Sequence, residues 1–339
     1  MLSNNPDVSV IICNHVVGPL FYLATTSLRM QKNIKFEIIV ITSSKELFKA
    51  GVADCRVLYL NKTPAEKRNF GAREAKGQYL AFFDDDVDIN ELCLTELLKP
   101  LVMNETVGMT YGKLWNMEHQ NRFDEAGGYL TSSGFIWSRA GQNDVDEGQF
   151  NAIEPVLAGK SASCMVKKDL FLALGGFDED FGILGEETDL SWRIWLSGNE
   201  VWYVPNATGL HAFNTKFKPV EKHYTTSRVQ YNGCRNYITM LIKNLEARNL
   251  WKILPIHMAC WFTASLAMII TGKVRQGLSI WRGFGYIVLK VGLLRAKRKA
   301  VQEGRKVDDR TLWPDIFRRP PRGYYRTRIL RYITLGLHG

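Results

Sequence analysis

An apolar run that ends in three consecutive carboxylates constrains this chain more than any other feature. Tyr79 to Phe83 reads as a buried strand, and Asp84, Asp85 and Asp86 follow it directly. In open α/β folds ligands bind at the carboxyl edge of the sheet, so this strand would place negative charge there. Carboxylates this close repel one another unless a cation lies among them, and oxygen ligands suit Mg2+ or Mn2+. The run predicts a site for a metal and substrate phosphates, or, taken alone, a solvated acidic turn.

Short apolar runs alternate with helical patterns on both sides of the acidic run. The sequence predicts strands at 8–13, 36–41, 55–60, 161–166 and 201–204, and helices at 20–31, 64–76, 168–174 and 186–197. This alternation indicates βαβ units, and therefore a Rossmann-like α/β fold with a mainly parallel sheet and flanking helices. Residues 106–160 show a looser pattern of short strands and Gly-rich turns, which in a compact domain is usually functional.

The charge of the chain is divided between two regions. Residues 1–210 contain 19 Lys and Arg against 28 Asp and Glu, whereas residues 211–339 contain 25 against 6. The sequence also turns helical beyond Tyr224. We therefore predict an α/β domain at 1–223 and a basic, helical C-terminal region at 224–339. A basic region of this kind suits nucleic acid or an anionic membrane surface.

Two stretches of the basic region favour the membrane, so we expect no nucleic-acid partner. Residues 253–270 carry no formal charge, but Pro255 and His257 favour an interfacial or re-entrant segment over a full crossing. On one helical wheel Arg275, Arg282, Lys290 and Lys297 lie within about 80° of one another. The opposite side holds Ile280, Trp281, Phe284, Ile287, Val288 and Val291. This pattern is typical of a helix in a membrane interface, and residues 324–332 repeat it. A core-packed helix with a solvated face is the alternative.

Three further features accompany the acidic run. Arg68 lies one helix upstream, where its cation would reach a diphosphate at the same sheet edge. Glu186, Glu187 and Asp189 form an acidic helix start, which the helix dipole alone would favour. His211 follows a predicted strand, and a lone histidine is more often structural than a ligand.

In this order the features resemble the family 2 glycosyltransferases of the type A fold, most closely the bacterial and archaeal rhamnosyltransferase-like branch. The matching segments are residues 8–14, 37–44, 68–71 with Gly77, 84–86, 175–179, 186–193 and 205–211. The segment at 235–237 is similar to the Arg-Asn helix that often follows this domain. The resemblance covers about residues 7–245 and makes 1–223 the nucleotide-sugar-binding and catalytic domain.

The resemblance implies a metal and a donor site. Asp84 and Asp86 match the Asp-x-Asp motif that would hold Mn2+ or Mg2+, and His211 matches a position that approaches the metal in some relatives. The ion would stabilise the diphosphate leaving group as a Lewis acid. The implied donor-binding residues are Asn14, Thr42, Ser43, Arg68, Asn69, Asp84 and Asp85. Thr42 replaces the family's usual Asp at the nucleobase, so a UDP-sugar and a dTDP-sugar both stay open.

The resemblance also implies an acceptor site. Glu187 matches the general base that deprotonates the acceptor hydroxyl, although the family usually has Glu-Asp where this chain has Glu186-Glu187, which leaves the choice between the two open. Asp189 would orient the acceptor or stabilise the helix start. Residues 106–160 would shape the acceptor side, where three aromatic rings are candidates for sugar stacking. These candidates are Trp115, Tyr129 and Trp137.

The implied activity is inverting transfer of a hexosyl or deoxyhexosyl group to a lipid-linked or growing cell-surface glycan. Six scattered cysteines without a Cys-x-x-Cys pair suit a reducing compartment, and the N-terminus lacks a signal-peptide pattern. We therefore expect the protein at the cytoplasmic face of the cell membrane. Two alternatives stay open, namely a sugar-1-phosphate nucleotidyltransferase, whose Gly-rich loop after the first strand is missing here, and a non-catalytic basic adaptor that binds lipid or nucleic acid.

Overall fold

The computed structural model of the chain describes residues 6–14, 17–140, 144–213 and 227–320, together with Gly323 and Arg326. The strands are β1 Val8–Asn14, β2 Phe36–Thr42, β3 Cys55–Tyr59, β4 Tyr79–Asp84, β5 Val87–Ile89, β6 Val107–Asn116, β7 Phe123–Glu125, β8 Gly128–Leu130, β9 Ile136–Ser138, β10 Glu154–Pro155, β11 Ser163–Lys167 and β12 Glu200–His211. The helices are α1 Pro19–Arg29, α2 Lys45–Ala50, α3 Pro64–Glu74, α4 Cys93–Met103, α5 Lys168–Ala173, α6 Glu186–Leu196, α7 Ser227–Asn244, α8 Ala247–Ile270, α9 Val274–Leu289, α10 Val291–Glu303 and α11 Asp309–Ile316.

One mixed sheet organises the N-terminal part of the chain, up to residue 211. Its strand order is β10-β12-β6-β11-β4-β1-β2-β3, with β5 added beside β12 and β7 beside β6. Strands β3, β2, β1 and β4 are parallel, whereas β11 is antiparallel to both of its neighbours. The predicted α/β fold with flanking helices is confirmed, and β6 and β12 form a further parallel pair beyond β11.

Alternate residues of the central strands serve two cores, one on each face of the sheet. In β1, Val10 and Ile12 pack with Phe21 of α1 and Leu97 of α4, and all four are buried. Ile11 faces the other way, into the core that helices α3, α5, α6 and α7 cover. A strand that is buried on both faces reads as a continuous apolar run, which is why the sequence shows it clearly.

The looser pattern predicted for 106–160 conceals a ten-residue strand, β6. Strand β12 is likewise longer than predicted, because a register shift between Val204 and Thr208 accommodates Pro205 and pairing then resumes. Gly112 permits this bulge, since a Cβ atom there would lie 2.6 Å from the Ala207 carbonyl oxygen. The continuation of β12 carries His211 to the acidic edge of the sheet.

The C-terminal helices pack against the same core as α6. Leu241 of α7 and Ile316 of α11 belong to the core on that face of the sheet. The predicted domain boundary at residue 223 lies outside the described residues, as does the segment at 324–332 apart from Arg326, so both remain predictions.

The predicted amphipathic helix at 275–297 is two helices, α9 and α10, bent by 70°. Its apolar face is also divided, because Ile280 is buried whereas Trp281 is 45% exposed. Among the described residues, α8 is the one helix that is by itself long and apolar enough to cross a membrane. The bent pair α9 and α10 is long and apolar enough only if the two helices are counted as one span.

Candidate active site

Polar side chains gather where β1, β2 and β4 end. The strand register pairs Asn14 with Thr42 and Cys13 with Asp84, so the three strands finish at one edge of the sheet. Asn14 Nδ2 donates a hydrogen bond to Asp85 Oδ2 at 2.8 Å. The predicted donor-binding residues on these strands therefore share one edge.

Asp84, Asp86 and His211 form a cluster with the composition of a divalent-metal site. One potential ligand atom of each lies within 4.8 Å of the others, and His211 Nε2 is 3.4 Å from Asp86 Oδ1. Strand β12 brings the histidine there because its end pairs with β5, which begins directly after Asp86. Two carboxylates and an imidazole fit Mn2+ well, whereas Mg2+ favours oxygen ligands. The structure thus brings the three predicted metal ligands together.

Asp124 orients His211, and sequence reasoning missed it. Asp124 Oδ2 lies 2.7 Å from His211 Nδ1, which leaves Nε2 toward Asp86. Burial alone would lower the pKa of His211, but Asp124 and then Asp86 raise it to about 9. Burial likewise opposes ionisation of Asp124, but Lys160 and His211 lower its pKa to about 2. A carboxylate behind a histidine is the usual partner of a metal-bound imidazole.

Arg68 joins the metal cluster to the acidic helix. Its Nη2 donates to Asp84 Oδ1 at 2.9 Å, and its Nη1 donates to Glu186 Oε1 at 3.1 Å. The guanidinium is buried and lies over Phe177, with 5.6 Å between Cζ and the ring centroid. A buried cation between two carboxylates is placed to offset the charge of a diphosphate.

Glu186 and Glu187 begin helix α6 after Gly185, whose φ of 84° is left-handed. Glu186 is buried, and its Oε2 has no hydrogen-bond partner among the described residues. Glu187 is half-buried, and burial followed by the charge of Glu186 raises its pKa well above the ordinary value. A carboxyl with a raised pKa is better matched to accepting a proton near neutral pH.

The part of the sheet edge around Asn14 and Ser43 contains a buried cation, Lys67, that was not among the predicted site residues. Lys67 Nζ donates to the Asn14 carbonyl at 2.9 Å and to Ser43 Oγ at 2.7 Å. Thr42 Oγ1 donates to Asn14 Oδ1 at 3.4 Å. Hydroxyl groups and a lysine therefore stand where the resemblance led us to expect an Asp.

Asn69 holds a loop rather than facing the acidic cluster. Its Nδ2 donates to the Phe177 carbonyl at 2.9 Å and to Glu179 Oε1 at 3.0 Å, and its Oδ1 accepts from the Phe177 N–H at 2.9 Å. These bonds use both amide hydrogens, so Asn69 positions the loop that leads to α6, and its donor contact stays a prediction.

Asp189 is fully buried, which corrects its predicted catalytic role. It accepts hydrogen bonds from Arg193 Nε at 2.8 Å, Lys243 Nζ at 2.9 Å and Asn244 Nδ2 at 3.1 Å. A carboxylate with no exposed atom cannot reach an acceptor. It instead joins α6 to α7, as the helix-start alternative anticipated.

The predicted acceptor aromatics differ in their surroundings. Trp115 is half-buried and pairs with Leu210, next to His211, so it lies beside the metal cluster. Tyr129 is 4% exposed and packs against Trp137 with 6.3 Å between ring centroids. A sugar therefore has no face of Tyr129 to stack on, and Trp115 is the better candidate.

Helix α7 fixes the loop before the acid pair. Asn236 Nδ2 donates to the carbonyls of Phe181, Ile183 and Leu184 at 2.8–2.9 Å. Arg235 Nη2 donates to the Phe181 carbonyl at 2.8 Å. The Arg-Asn pair noted in the sequence thus positions the start of α6.

The fold and this edge define a class of protein, those of the type A glycosyltransferase fold, with a candidate metal centre. Residues 9–149 match the model of glycosyl transferase family 2. The rhamnosyltransferase-like branch remains a prediction.

Two curated relatives come from Drosophila melanogaster. N-acetylgalactosaminyltransferase 4 is 28% identical over 158 residues, which is 44% of this chain and 24% of the relative. Putative polypeptide N-acetylgalactosaminyltransferase 10 is 25% identical over 242 residues, covering 65% of this chain and 38% of the relative. This chain therefore spans well under half the length of these relatives. A crystal structure of GalNAc-T7 with UDP, GalNAc and Mn2+ shares the fold, with a TM-score of 0.56, 17% identity, and coverage of 85% of this chain and 57% of that one.

Proposed function

We propose that the protein is a metal-dependent, inverting glycosyltransferase that moves a sugar from a nucleoside-diphosphate donor to a hydroxyl of a lipid-linked or growing cell-surface glycan. One observation carries the proposal: Arg68 bridges Asp84 of the candidate metal cluster and Glu186 of the acid pair. Leaving-group stabilisation and proton removal are the two tasks of such a displacement. Here the groups suited to each task are connected by a single buried cation.

The residues divide the reaction between them. A bound Mn2+ or Mg2+ would act as a Lewis acid toward the diphosphate. Asp84, Asp86 and His211 would hold the ion, and Arg68 would add positive charge as the bond between the anomeric carbon and the diphosphate oxygen breaks. Glu187 would take the acceptor hydroxyl proton while that oxygen bonds to the anomeric carbon.

The names of the relatives indicate which sugar donors to test first. Both Drosophila proteins are named N-acetylgalactosaminyltransferases, and the GalNAc-T7 structure contains UDP. We therefore extend the proposed sugar from a hexosyl or deoxyhexosyl group to an N-acetylhexosaminyl group, with uridine as the favoured nucleoside.

The protein is proposed to work at the cytoplasmic face of the cell membrane. All six of its cysteines are free thiols, which supports a reducing compartment.

The test measures release of nucleoside diphosphate from UDP-GalNAc, UDP-GlcNAc, UDP-glucose and dTDP-rhamnose, with detergent-dispersed membrane lipid as acceptor. We expect turnover of one donor that requires Mn2+ or Mg2+ and is lost in Asp86→Ala. Asp88→Asn is the matched control, because Asp88 belongs to the same acidic stretch but lies outside the metal cluster. Turnover that EDTA leaves unchanged, or that Asp86→Ala retains, would refute the proposal. Pyrophosphate release from a nucleoside triphosphate would instead favour the nucleotidyltransferase.

A further inference from the structure

Helices α8 and α9 carry a continuous exposed apolar face. On α8, exposed side chains recur every four residues, at Met258, Phe262, Leu266 and Ile270, with exposures of 40%, 43%, 42% and 83%. On α9 the exposed apolar residues are Val274, Leu278, Trp281, Val288 and Leu289. The rings of Phe262 and Trp281 meet with 5.6 Å between centroids, so the two rows form one surface. An apolar surface of this extent usually marks an interaction site.

The opposite side of α8 is anchored to the catalytic half of the chain. His257 Nδ1 lies 2.9 Å from the Ser133 carbonyl oxygen, and Trp261 Nε1 donates to His257 Nε2 at 2.9 Å. Further along, Ser265 Oγ donates to the Gly277 carbonyl of α9 at 2.9 Å. A crossing helix would have to give up these buried bonds in hydrocarbon. Helix α8 is therefore built to lie along a surface.

The charge around this apolar face indicates what kind of partner binds it. Residues 247–302 contain no Asp or Glu and ten basic residues, which are Arg248, Lys252, Lys273, Arg275, Arg282, Lys290, Arg295, Lys297, Arg298 and Lys299. Two of these pair with acids outside the segment, Lys297 with Asp178 and Asp180, and Lys299 with Glu303. Arg275 and Lys290 are exposed beside the apolar rows. A second copy of the chain would bring the same positive charge against this one, whereas anionic lipid complements it.

We propose that the apolar face of α8 and α9, with its basic surround, docks peripherally on an anionic bilayer, with both ends of α8 on the same side of the membrane. Exposed aromatic and aliphatic side chains would enter the interface, and Arg275 and Lys290 would meet lipid headgroups. The inference does not depend on the proposed reaction, since vesicle binding is measured without a donor.

The experiment is co-sedimentation of the full chain with vesicles of phosphatidylcholine alone or with added phosphatidylglycerol. We expect binding to the anionic vesicles only. Ile270→Asp with Leu289→Asp should weaken binding at least about tenfold. Met103→Asp is the control, because Met103 is 83% exposed, as Ile270 and Leu289 are, but lies on α4.

Charge is tested separately from apolar contact. Arg275→Glu with Lys290→Glu should weaken binding at least about tenfold and reduce its salt dependence. Lys45→Glu with Lys49→Glu is the matched control, since both lysines are exposed on α2. Unchanged melting temperatures establish that the variants fold.

Equal binding to neutral vesicles would overturn the inference, and so would equal losses of binding in the variants and their controls. It would also be overturned by a dimer, seen in sedimentation velocity, that the Ile270 and Leu289 changes dissociate while the wild type binds no vesicles. Protease access to both ends of α8 from one side of sealed vesicles would support peripheral docking. Protection of one end would contradict it.

Discussion

Binding of a divalent metal should displace a proton from His211. The pKa of this residue is raised to about 9 by Asp124 and Asp86 against the opposing effect of burial. At pH 7 only about one molecule in a hundred then has the neutral imidazole that a metal requires, so apparent affinity is reduced about 100-fold. The affinity should therefore rise about tenfold per pH unit until the pH reaches the pKa, and level off above it.

Replacing Asp124 by Asn separates two effects of opposite sign. The change removes the main group that raises the pKa of His211, so the cost of deprotonation at pH 7 falls, although Asp86 still raises that pKa. It also removes the carboxylate 2.7 Å from Nδ1, and loss of such a partner typically weakens metal binding about 10–100-fold. The two effects oppose each other at pH 7. At pH 9 the variant should bind Mn2+ about 10–100-fold more weakly than the wild type.

The assay is anaerobic calorimetric titration with Mn2+ between pH 6 and 9 in two buffers of different ionisation enthalpy, which counts the protons released. We expect nearly one proton per metal at pH 7 for the wild type and fewer for Asp124→Asn. Asp146→Asn should match the wild type, because Asp146 pairs with Lys113 rather than with His211. A wild-type affinity that does not change with pH, or equal proton release by Asp124→Asn, would refute the reasoning.

Further predictions concern stability and catalysis. Lys243→Met leaves Asp189 buried without this cation and should cost about 3–5 kcal/mol in urea unfolding. Burial opposes ionisation of Asp189, but Lys243 holds the pKa of this carboxyl below the ordinary value. The stability that results should be present above about pH 4 and be lost as the pH falls lower. A plot of melting temperature against pH would show this loss. Glu187→Gln should lower turnover by about 10²–10⁴ with donor affinity unchanged, and wild-type turnover should rise with pH as Glu187 loses its proton. Gly112→Ala, whose Cβ would lie 2.6 Å from a backbone oxygen of β12, should cost about 1–3 kcal/mol. Gly292→Ala, with open space around it, should be neutral or stabilise by up to about 1 kcal/mol.

Each of these predictions has a contrary result. Lys290→Met removes an exposed lysine and should change stability by no more than about 0.5 kcal/mol; an equal loss in Lys243→Met would show that the buried ion pair is unimportant. A flat profile of melting temperature below pH 4 would contradict the role given to Asp189. Retained turnover in Glu187→Gln would move the base to Glu186, and equal stability of the two glycine variants would contradict the close approach at Gly112.

The sequence predicted β1, β2 and β4 because most of the residues in those strands are buried, on both faces of the sheet. Their apolar runs, as in β1, are continuous, and turn residues bound them. The carboxylates at 84–86 directly follow such a strand, so their position at the sheet edge followed from the strand itself. A different pattern, an acidic start to a predicted helix, located the acid pair at the start of α6.

The rest depends on contacts between distant segments. Glycines at 108 and 112 interrupt the apolar pattern of β6, although the strand needs them for close packing. Pro205 reads as the end of a strand, whereas a bulge lets β12 continue to His211. Asp124 carries no local signal beyond an acid pair ahead of two glycines. Its role becomes visible only in the folded structure, where Asp124 of β7 lies beside His211 of β12.

The central claim, a metal-dependent nucleotide-sugar site at Asp84 and Asp86, is tested most directly by thermal unfolding in the presence of UDP with and without Mn2+. A ligand at 100 times its dissociation constant stabilises the folded state by about 2.7 kcal/mol. We predict a shift of the melting temperature that needs both UDP and Mn2+, is absent in Asp86→Ala and persists in Asp88→Asn. A UDP shift that needs no metal, or that Asp86→Ala retains, would contradict the claim.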